Sequence, residues 1–339
     1  MKAYVPGEQP QDGGYIKLNT NENPYSPCEQ VNEDIRKLVD KNSLNLYSDP
    51  CAEDLRQIIG DTYGFSIENV FAGNGSDEIL TIIMRCFANE NDIISFPYPS
   101  YFLYKVLSDI QGCKVREVYF SHEYTLNKED IIKDNVKIFF LANPNSPSGT
   151  VISVKDIEDI VKDFNGIFVI DEAYVDFAEQ SCLDLVKKYN NVIVLRTVSK
   201  SFSLAGIRLG YAFADKKIIQ GLFKAKDSYN LNAITQCAGI AALKNIDFMY
   251  ENVKKIKKTR EFVSKELEKM GFFVYPSQSN FLYIEHEKIS AKTIYKKLKK
   301  NKILVRYFNA PLLDTGIRVT IGTDKNMRIF LKDIAEIIK

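Results

Sequence analysis

Three apolar runs in the middle of the chain each hand over to groups that can do chemistry. VKIFFLA (136–142) leads into Asn143-Pro144-Asn145-Ser146-Pro147-Ser148-Gly149. GIFVI (166–170) leads into Asp171-Glu172-Ala173-Tyr174, and NVIVL (191–195) into Arg196-Thr197-Val198-Ser199-Lys200. Runs this short and apolar fit fully buried strands, and open α/β sheets bind ligands beyond the carboxyl ends of their strands. An amide, a carboxylate and an amine would therefore meet at one sheet edge. A carboxylate directly after a buried strand is costly without a partner. One such strand end is an ordinary turn signal, because Asp and Asn open turns routinely. Three in sequential crossovers, with complementary chemistry, are a stronger signal.

Two further segments carry chemistry. Gly73-Asn74-Gly75-Ser76-Asp77-Glu78 is a glycine-rich turn running into the helical pattern DEILTIIMRCFA, a setting whose free N–H groups hold a phosphate. Arg208, in SLAGIRLGY (203–211), puts a cation into a mostly apolar segment shortly after Lys200. A pyridoxal phosphate (PLP) site suits this set. Its aldehyde forms a Schiff base with a lysine, and its ring nitrogen needs an acidic partner that keeps the pyridinium protonated. Its phenolic oxygen accepts hydrogen bonds, and its phosphate takes N–H groups and cations.

Other chemistries lack their parts. The six cysteines show no C-x-x-C and no zinc spacing, and read as reduced thiols packed as small hydrophobes. The two histidines, His122 and His286, stand apart in SHEY and EHEK. H-E-x-x-H, G-x-S-x-G, the P-loop pattern and a complete G-x-G-x-x-G are all absent from the sequence. Lys+Arg 45 against Asp+Glu 44 gives a net charge of +1, which argues against a chain-wide nucleic-acid or membrane footprint. No apolar run approaches the ~18–20 residues of a membrane span. The start, MKAYVPGEQPQDGG, lacks a secretory stretch, so the expected location is the cytoplasm.

The elements that must position these groups follow from patterning. At about 150 residues per domain, 339 residues make two units. Residues 1–30, rich in Pro, Gly and Asn, are expected to form an extended arm. Residues 31–235 read as a large domain of alternating helix and strand, with strands near 92–96, 115–120, 136–142, 166–170, 192–195 and 209–214. That alternation predicts an α/β fold with a mostly parallel sheet sandwiched by helices. Asp49-Pro50 predicts a helix reaching about Gly64, and Ser76 or Asp77 opens another. Residues 236–339 read as a small α+β domain, opened by a long helical stretch (235–269) that bridges the two.

The chain resembles the fold-type I PLP-dependent aminotransferases, and within them the histidinol-phosphate aminotransferase family. The matching pieces are YVPGEQP (4–10), LNTNENPYSP (18–27), YSDP (47–50), GNGSDE (73–78), PYPSY (97–101), NPNSPSGT (143–150), DEAYVDF (171–177), RTVSKSFSLAGIRLGY (196–211) and GIRVTIGT (316–323). They stand in family order and span nearly the whole chain. The lysine segment and DEAY-x-DF are specific, whereas the asparagine segment is shared more widely among aminotransferases.

The resemblance implies roles. Lys200 would carry the cofactor and then move the proton between Cα and C4′. Asp171 would pair with the ring nitrogen, Asn145 and Tyr174 with O3′, and Tyr101 would stack on the ring. Gly75, Ser76, Asp77, Thr197, Ser199 and Arg208 would hold the phosphate. Tyr47 would reach the phosphate in a neighbouring subunit, implying a homodimer. Arg318 would clamp an anionic group of the substrate, with Arg306, Tyr4 and Asn21 as additional contacts.

The implied activity is a ping-pong transfer between glutamate/2-oxoglutarate and a small phosphorylated ketone, imidazole-acetol phosphate being the family's standard partner. Dihydroxyacetone phosphate giving serinol phosphate, and decarboxylation of the threonine-phosphate type, stay open. The segment Arg306-Tyr307-Phe308-Asn309-Ala310-Pro311 is unusually aromatic and lies where side-chain specificity could be altered. A binding-only protein on the same scaffold would be expected to have lost the lysine or the aspartate, and both Lys200 and Asp171 are present.

Overall fold

The structure is a computed structural model that describes residues 5–11, 13–41, 44–121 and 124–339. Two sheets organise it. The first strand, β1 (Ile16–Leu18), belongs to the smaller sheet. The larger sheet holds β2 (Val70–Gly73), β3 (Ile93–Tyr98), β4 (Lys114–Tyr119), β5 (Ile138–Ala142), β6 (Ile167–Asp171), β7 (Val192–Thr197) and β8 (Gly210–Ala214). Its order is β2-β8-β7-β6-β5-β3-β4. β8 runs antiparallel to both neighbours, and every other pair is parallel. The expected parallel sandwich is therefore present. β2 is a strand that the sequence pattern did not signal.

Period-two alternation divides the central strands between two cores. Phe139, Leu141, Phe168, Ile170, Val192 and Val194 face one core. Ile138, Phe140, Val169, Ile193 and Leu195 face the other. β5 and β7 are buried along their whole length. Each such side chain contributes about 1.5–3 kcal/mol, which holds the three strand ends rigidly side by side.

β9 (Phe272–Val274), β10 (Phe281–His286), β11 (Ile303–Tyr307) and β12 (Gly316–Thr320) complete the smaller sheet, ordered β1-β11-β12-β10-β9. β1 pairs in parallel with β11, Ile16 opposite Ile303. Part of the expected arm is thus a strand of the C-terminal sheet. The long stretch 235–269 is two helices, Ala233–Lys244 and Ile246–Lys269, interrupted at Asn245 (φ −116°, ψ 38°). The first packs against helices Glu29–Asp40 and Glu53–Tyr63. The second packs against β9 and the terminal helix Asp324–Ile338. The helix expected at Asp49-Pro50 begins at Glu53, because Ala52 takes a left-handed conformation. Asp49 still caps it, accepting from the Glu53 N–H at 2.5 Å. Among the described residues no helix is long and apolar enough to cross a membrane.

Candidate active site

A cavity of about 220 Å³ opens at the carboxyl ends of β5, β6 and β7, walled on the far side by β11, β12 and the N-terminal segment. Lys200 sits on the turn after β7. Its Nζ donates to the Thr20 carbonyl at 3.4 Å and lies 5.9 Å from the Tyr174 ring centroid. Burial, and then the Arg318 guanidinium, lower its pKa to about 8.

Asp171 ends β6 and is buried. It accepts from the Tyr104 hydroxyl at 3.0 Å and from the Ala173 N–H at 3.1 Å. Burial raises its pKa to about 6, against the pull of those two donors. Tyr104 was not singled out from sequence. It is fully buried, stacks on Phe140 at 4.9 Å, and meets Tyr101 edge-on at 5.6 Å. A buried aromatic in a short helix has no local mark of such a role.

An anion corner lies at the other end. Gly75 caps helix Ser76–Phe87 with φ 83° and ψ 162°, a region essentially reserved for glycine. A Cβ there would strike the Arg208 guanidinium. Arg208, itself left-handed at φ 56°, reaches Ser199 Oγ at 3.4 Å and Asp77 at 3.5 Å. Thr197 Oγ1 donates to Ser199 Oγ at 2.9 Å, and the Tyr101 hydroxyl donates to Asp77 at 3.0 Å. Glu78 tightens the turn, accepting from the Asn74 N–H and from Asn230 at 2.6 and 2.9 Å. Asn230 is a second contributor absent from the sequence expectations.

In the asparagine segment Asn145 is buried: it accepts from Ser100, which lines the cavity, at 3.0 Å and donates to Ser148 and the Pro99 carbonyl at 2.9 and 3.2 Å. The neighbouring Ser146 also lines the cavity. Its hydroxyl accepts from Arg318 at 3.2 Å and lies within hydrogen-bond reach of Tyr174. Asn21, buried with φ 57°, donates to the Tyr174 hydroxyl at 2.8 Å.

Arg318 donates to the Asn19 carbonyl at 3.0 Å, with Phe281 and Phe308 at 5.2 and 5.5 Å from its guanidinium. Arg306 pairs opposite it across the β11–β12 ladder and donates to the Val5 and Pro6 carbonyls at 2.6 and 3.0 Å. Tyr47 is not part of this cavity. It is 82% exposed and stacks on Tyr229 at 4.2 Å. Tyr4 lies outside the described residues.

Comparison with known proteins decides the family. The model of aminotransferase class I and II matches residues 14–334. Histidinol-phosphate aminotransferase 1 of Nostoc sp. is 40% identical, covering 100% of this chain and 96% of the relative. The histidinol-phosphate aminotransferase of Brachyspira hyodysenteriae is 42% identical, covering 100% and 97%. The chain belongs to the histidinol-phosphate aminotransferase family of class I and II aminotransferases. Among solved structures, the Sinorhizobium meliloti histidinol-phosphate aminotransferase in complex with pyridoxal-5′-phosphate superposes with a TM-score of 0.90 at 25% identity, covering 96% of this chain and 90% of that one. The Clostridium acetobutylicum histidinol-phosphate aminotransferase gives 0.88 at 26% identity, covering 95% and 99%.

The aminotransferase family brings the reaction class and the cofactor, PLP, and the donor set of this chain fits that group. A cationic corner with a helix N-terminus stands at one end, a buried carboxylate at the other, and an amine of lowered pKa near Tyr174. Of the residues expected from sequence, Lys200, Asp171, Tyr174, Tyr101, Ser76, Asp77, Thr197, Ser199, Arg208, Asn21, Arg306 and Arg318 all line this one cavity, with Gly75 directly behind Arg208.

Proposed function

We propose that this aminotransferase moves an amino group between glutamate/2-oxoglutarate and a small phosphorylated ketone, most specifically imidazole-acetol phosphate, giving histidinol phosphate. The observation that carries the substrate reading is that Arg306 and Arg318, partners in the β11–β12 register, both line the Lys200 cavity. Arginine forks bind carboxylate or phosphate. The names of relatives 40–42% identical over the full chain support the imidazole substrate.

PLP, when bound, supplies the electron sink for a carbanion at the substrate Cα. The chain's residues do the rest. Lys200 would hold the cofactor aldehyde and, once free, take the Cα proton and deliver it to C4′, since an amine with pKa about 8 is partly neutral near pH 7. Asp171, with pKa about 6, is mostly ionised at pH 7, and a cationic ring N–H against it would favour that form further. Tyr104 and Ala173 keep the carboxylate aimed. Arg208, Ser199, Thr197, Asp77 and the N–H groups around Ser76 would hold the phosphate, with Gly75 leaving room for Arg208. Tyr174 would donate to the phenolic oxygen, with the Ser146 hydroxyl within its reach. Tyr101 would cover the ring.

The working unit is proposed to be a homodimer. Leu44, Leu46 and Tyr47 are 53, 68 and 82% exposed within four residues of chain, and Tyr47 stacks on Tyr229; exposed apolar side chains gathered in this way mark an interface. Tyr47 would reach the partner's phosphate corner.

The test is a single-turnover spectral titration of PLP-loaded protein with glutamate, histidinol phosphate, serinol phosphate and O-phosphothreonine in separate samples. Rapid loss of the aldehyde-form absorbance with glutamate and with histidinol phosphate is the expected result. Response to glutamate but not histidinol phosphate would move the substrate to another phosphorylated ketone and direct attention to residues 306–311.

A further inference from the structure

Behind the cavity lies a second group of charges that amino transfer does not use. Glu172 follows Asp171 and Arg196 precedes Thr197, so strand alternation turns both toward the sheet face opposite Asp171. Their side chains are 1% and 8% exposed. Arg196 donates to Glu172 through Nε at 3.1 Å, its Nη2 lies 3.0 Å from the same carboxylate oxygen, and Nη2 donates to Ser181 at 2.8 Å. Glu172 also accepts from Ser181 and from the Cys182 N–H at 2.5 Å. The Tyr63 ring covers the guanidinium at 4.7 Å. The free side of Arg196 reaches Asp176 at 4.0 Å, and Asp176 accepts a short hydrogen bond from the Ser201 hydroxyl. Ser201 is the residue after Lys200, and Asn23 donates to the carbonyls of both at 3.0 Å.

Burying such groups costs more than an apolar filling of the same volume would. The arrangement does one thing an apolar filling would not. It links the residue after Asp171 to Arg196 on the next strand by hydrogen bonds, and Arg196 to the residue after Lys200 by the 4.0 Å charge contact with Asp176.

We propose that Glu172, Arg196, Asp176 and Ser201 are positioning residues that fix the aim of the Lys200 amine relative to the Asp171 carboxylate. The proposal rests on the reading of Lys200 as the cofactor-bearing amine. β6 and β7 are themselves locked by burial, and on the turn beyond β7 Val198, Phe202 and Leu204 are buried in the core. At Lys200 itself the turn is held by polar contacts, from Asn23 to the Lys200 and Ser201 carbonyls and from Ser201 to Asp176. Errors of about 1 Å at a reacting group cost about 100-fold in rate.

The experiment compares Ser201→Ala, Asp176→Ala and their double variant with the parent. Cofactor-free protein is mixed with PLP, quenched with borohydride at timed intervals, and the modified Lys200 peptide is counted by mass spectrometry. Thermal unfolding of the same samples and the kcat and KM for glutamate are measured alongside. The expected result is capture on Lys200 slowed, and kcat lowered about 10- to 100-fold with KM little changed. The double variant should be no worse than Asp176→Ala alone, because the Ser201 bond is already lost in that single variant. Parental capture and kcat in Ser201→Ala, or effects that simply add in the double variant, would overturn the proposal and leave the network a matter of stability. Failure of the Lys200 reading is distinguishable, since the parent itself would then show no cofactor mass on the Lys200 peptide.

Discussion

Lys200 and Asp171 show how one cavity shifts two groups in opposite senses for the same reason. Burial disfavours each charged form, lowering the amine to about 8 and raising the carboxylate to about 6. In cofactor-free protein the neutral amine is the nucleophile. The rate of cofactor capture is therefore expected to climb about tenfold per pH unit well below 8 and to level off above it. A midpoint near the ordinary lysine range would show that the amine is not desolvated. The same shift acts on stability. Below pH 8 Lys200 is charged in both folded and unfolded chains, so folding bears the full penalty of burying the charge. Between about 8 and 10.4 the unfolded chain binds the extra proton and stability recovers. Lys200→Met should accordingly be more stable than the parent at pH 7, with the gap closing toward pH 10 in denaturant titrations. Tyr104 pulls the other way on Asp171. Tyr104→Phe removes a donor that lowers the carboxylate pKa, so the acid limb of kcat/KM should move to higher pH; an unmoved limb would take Tyr104 out of the mechanism. Arg318→Ala should raise KM for glutamate far more than it weakens PLP binding.

The elements matter through where they stop. The central strands end at or within two residues of the end of their apolar runs, and Asp171 at the end of β6, Thr197 at the end of β7 and Pro144 just past β5 line the cavity. Helix Ser76–Phe87 begins where Gly75 can take a conformation that other residues resist, and Arg208 fills the space a Cβ would occupy. Gly75→Ala thus combines backbone strain of about 1–3 kcal/mol with a displaced guanidinium. PLP affinity should fall by at least tenfold while far-UV circular dichroism stays native, as measured by fluorescence titration. Full affinity in that variant would mean that the anion corner does not bind the phosphate. The β11–β12 pair does comparable work on the substrate side, placing Arg306 and Arg318 opposite one another.

At the scale of the molecule, the proposed dimer makes a prediction that no single chain could satisfy. Lys200→Ala and Tyr47→Ala variants, each impaired alone, should regain activity when mixed through unfolding and refolding. Random pairing leaves about a quarter of the sites with both native residues, and no recovery would place Tyr47 outside the partner's site. The sequence by itself determined the groups at the strand ends, the glycine turn, the α/β class and the family. Residue type and short-range apolar periodicity set these, and both are local. The tertiary structure decided that Ser146 lines the cavity and that the Asn145 amide bonds Ser100, Ser148 and the Pro99 carbonyl. It also decided that residues 16–18 pair with β11, that Asn245 divides the long helical stretch, and that Tyr104 supports Asp171. Those outcomes rest on partners far away in the chain, and contacts of that kind leave no mark in the spacing of neighbouring residues.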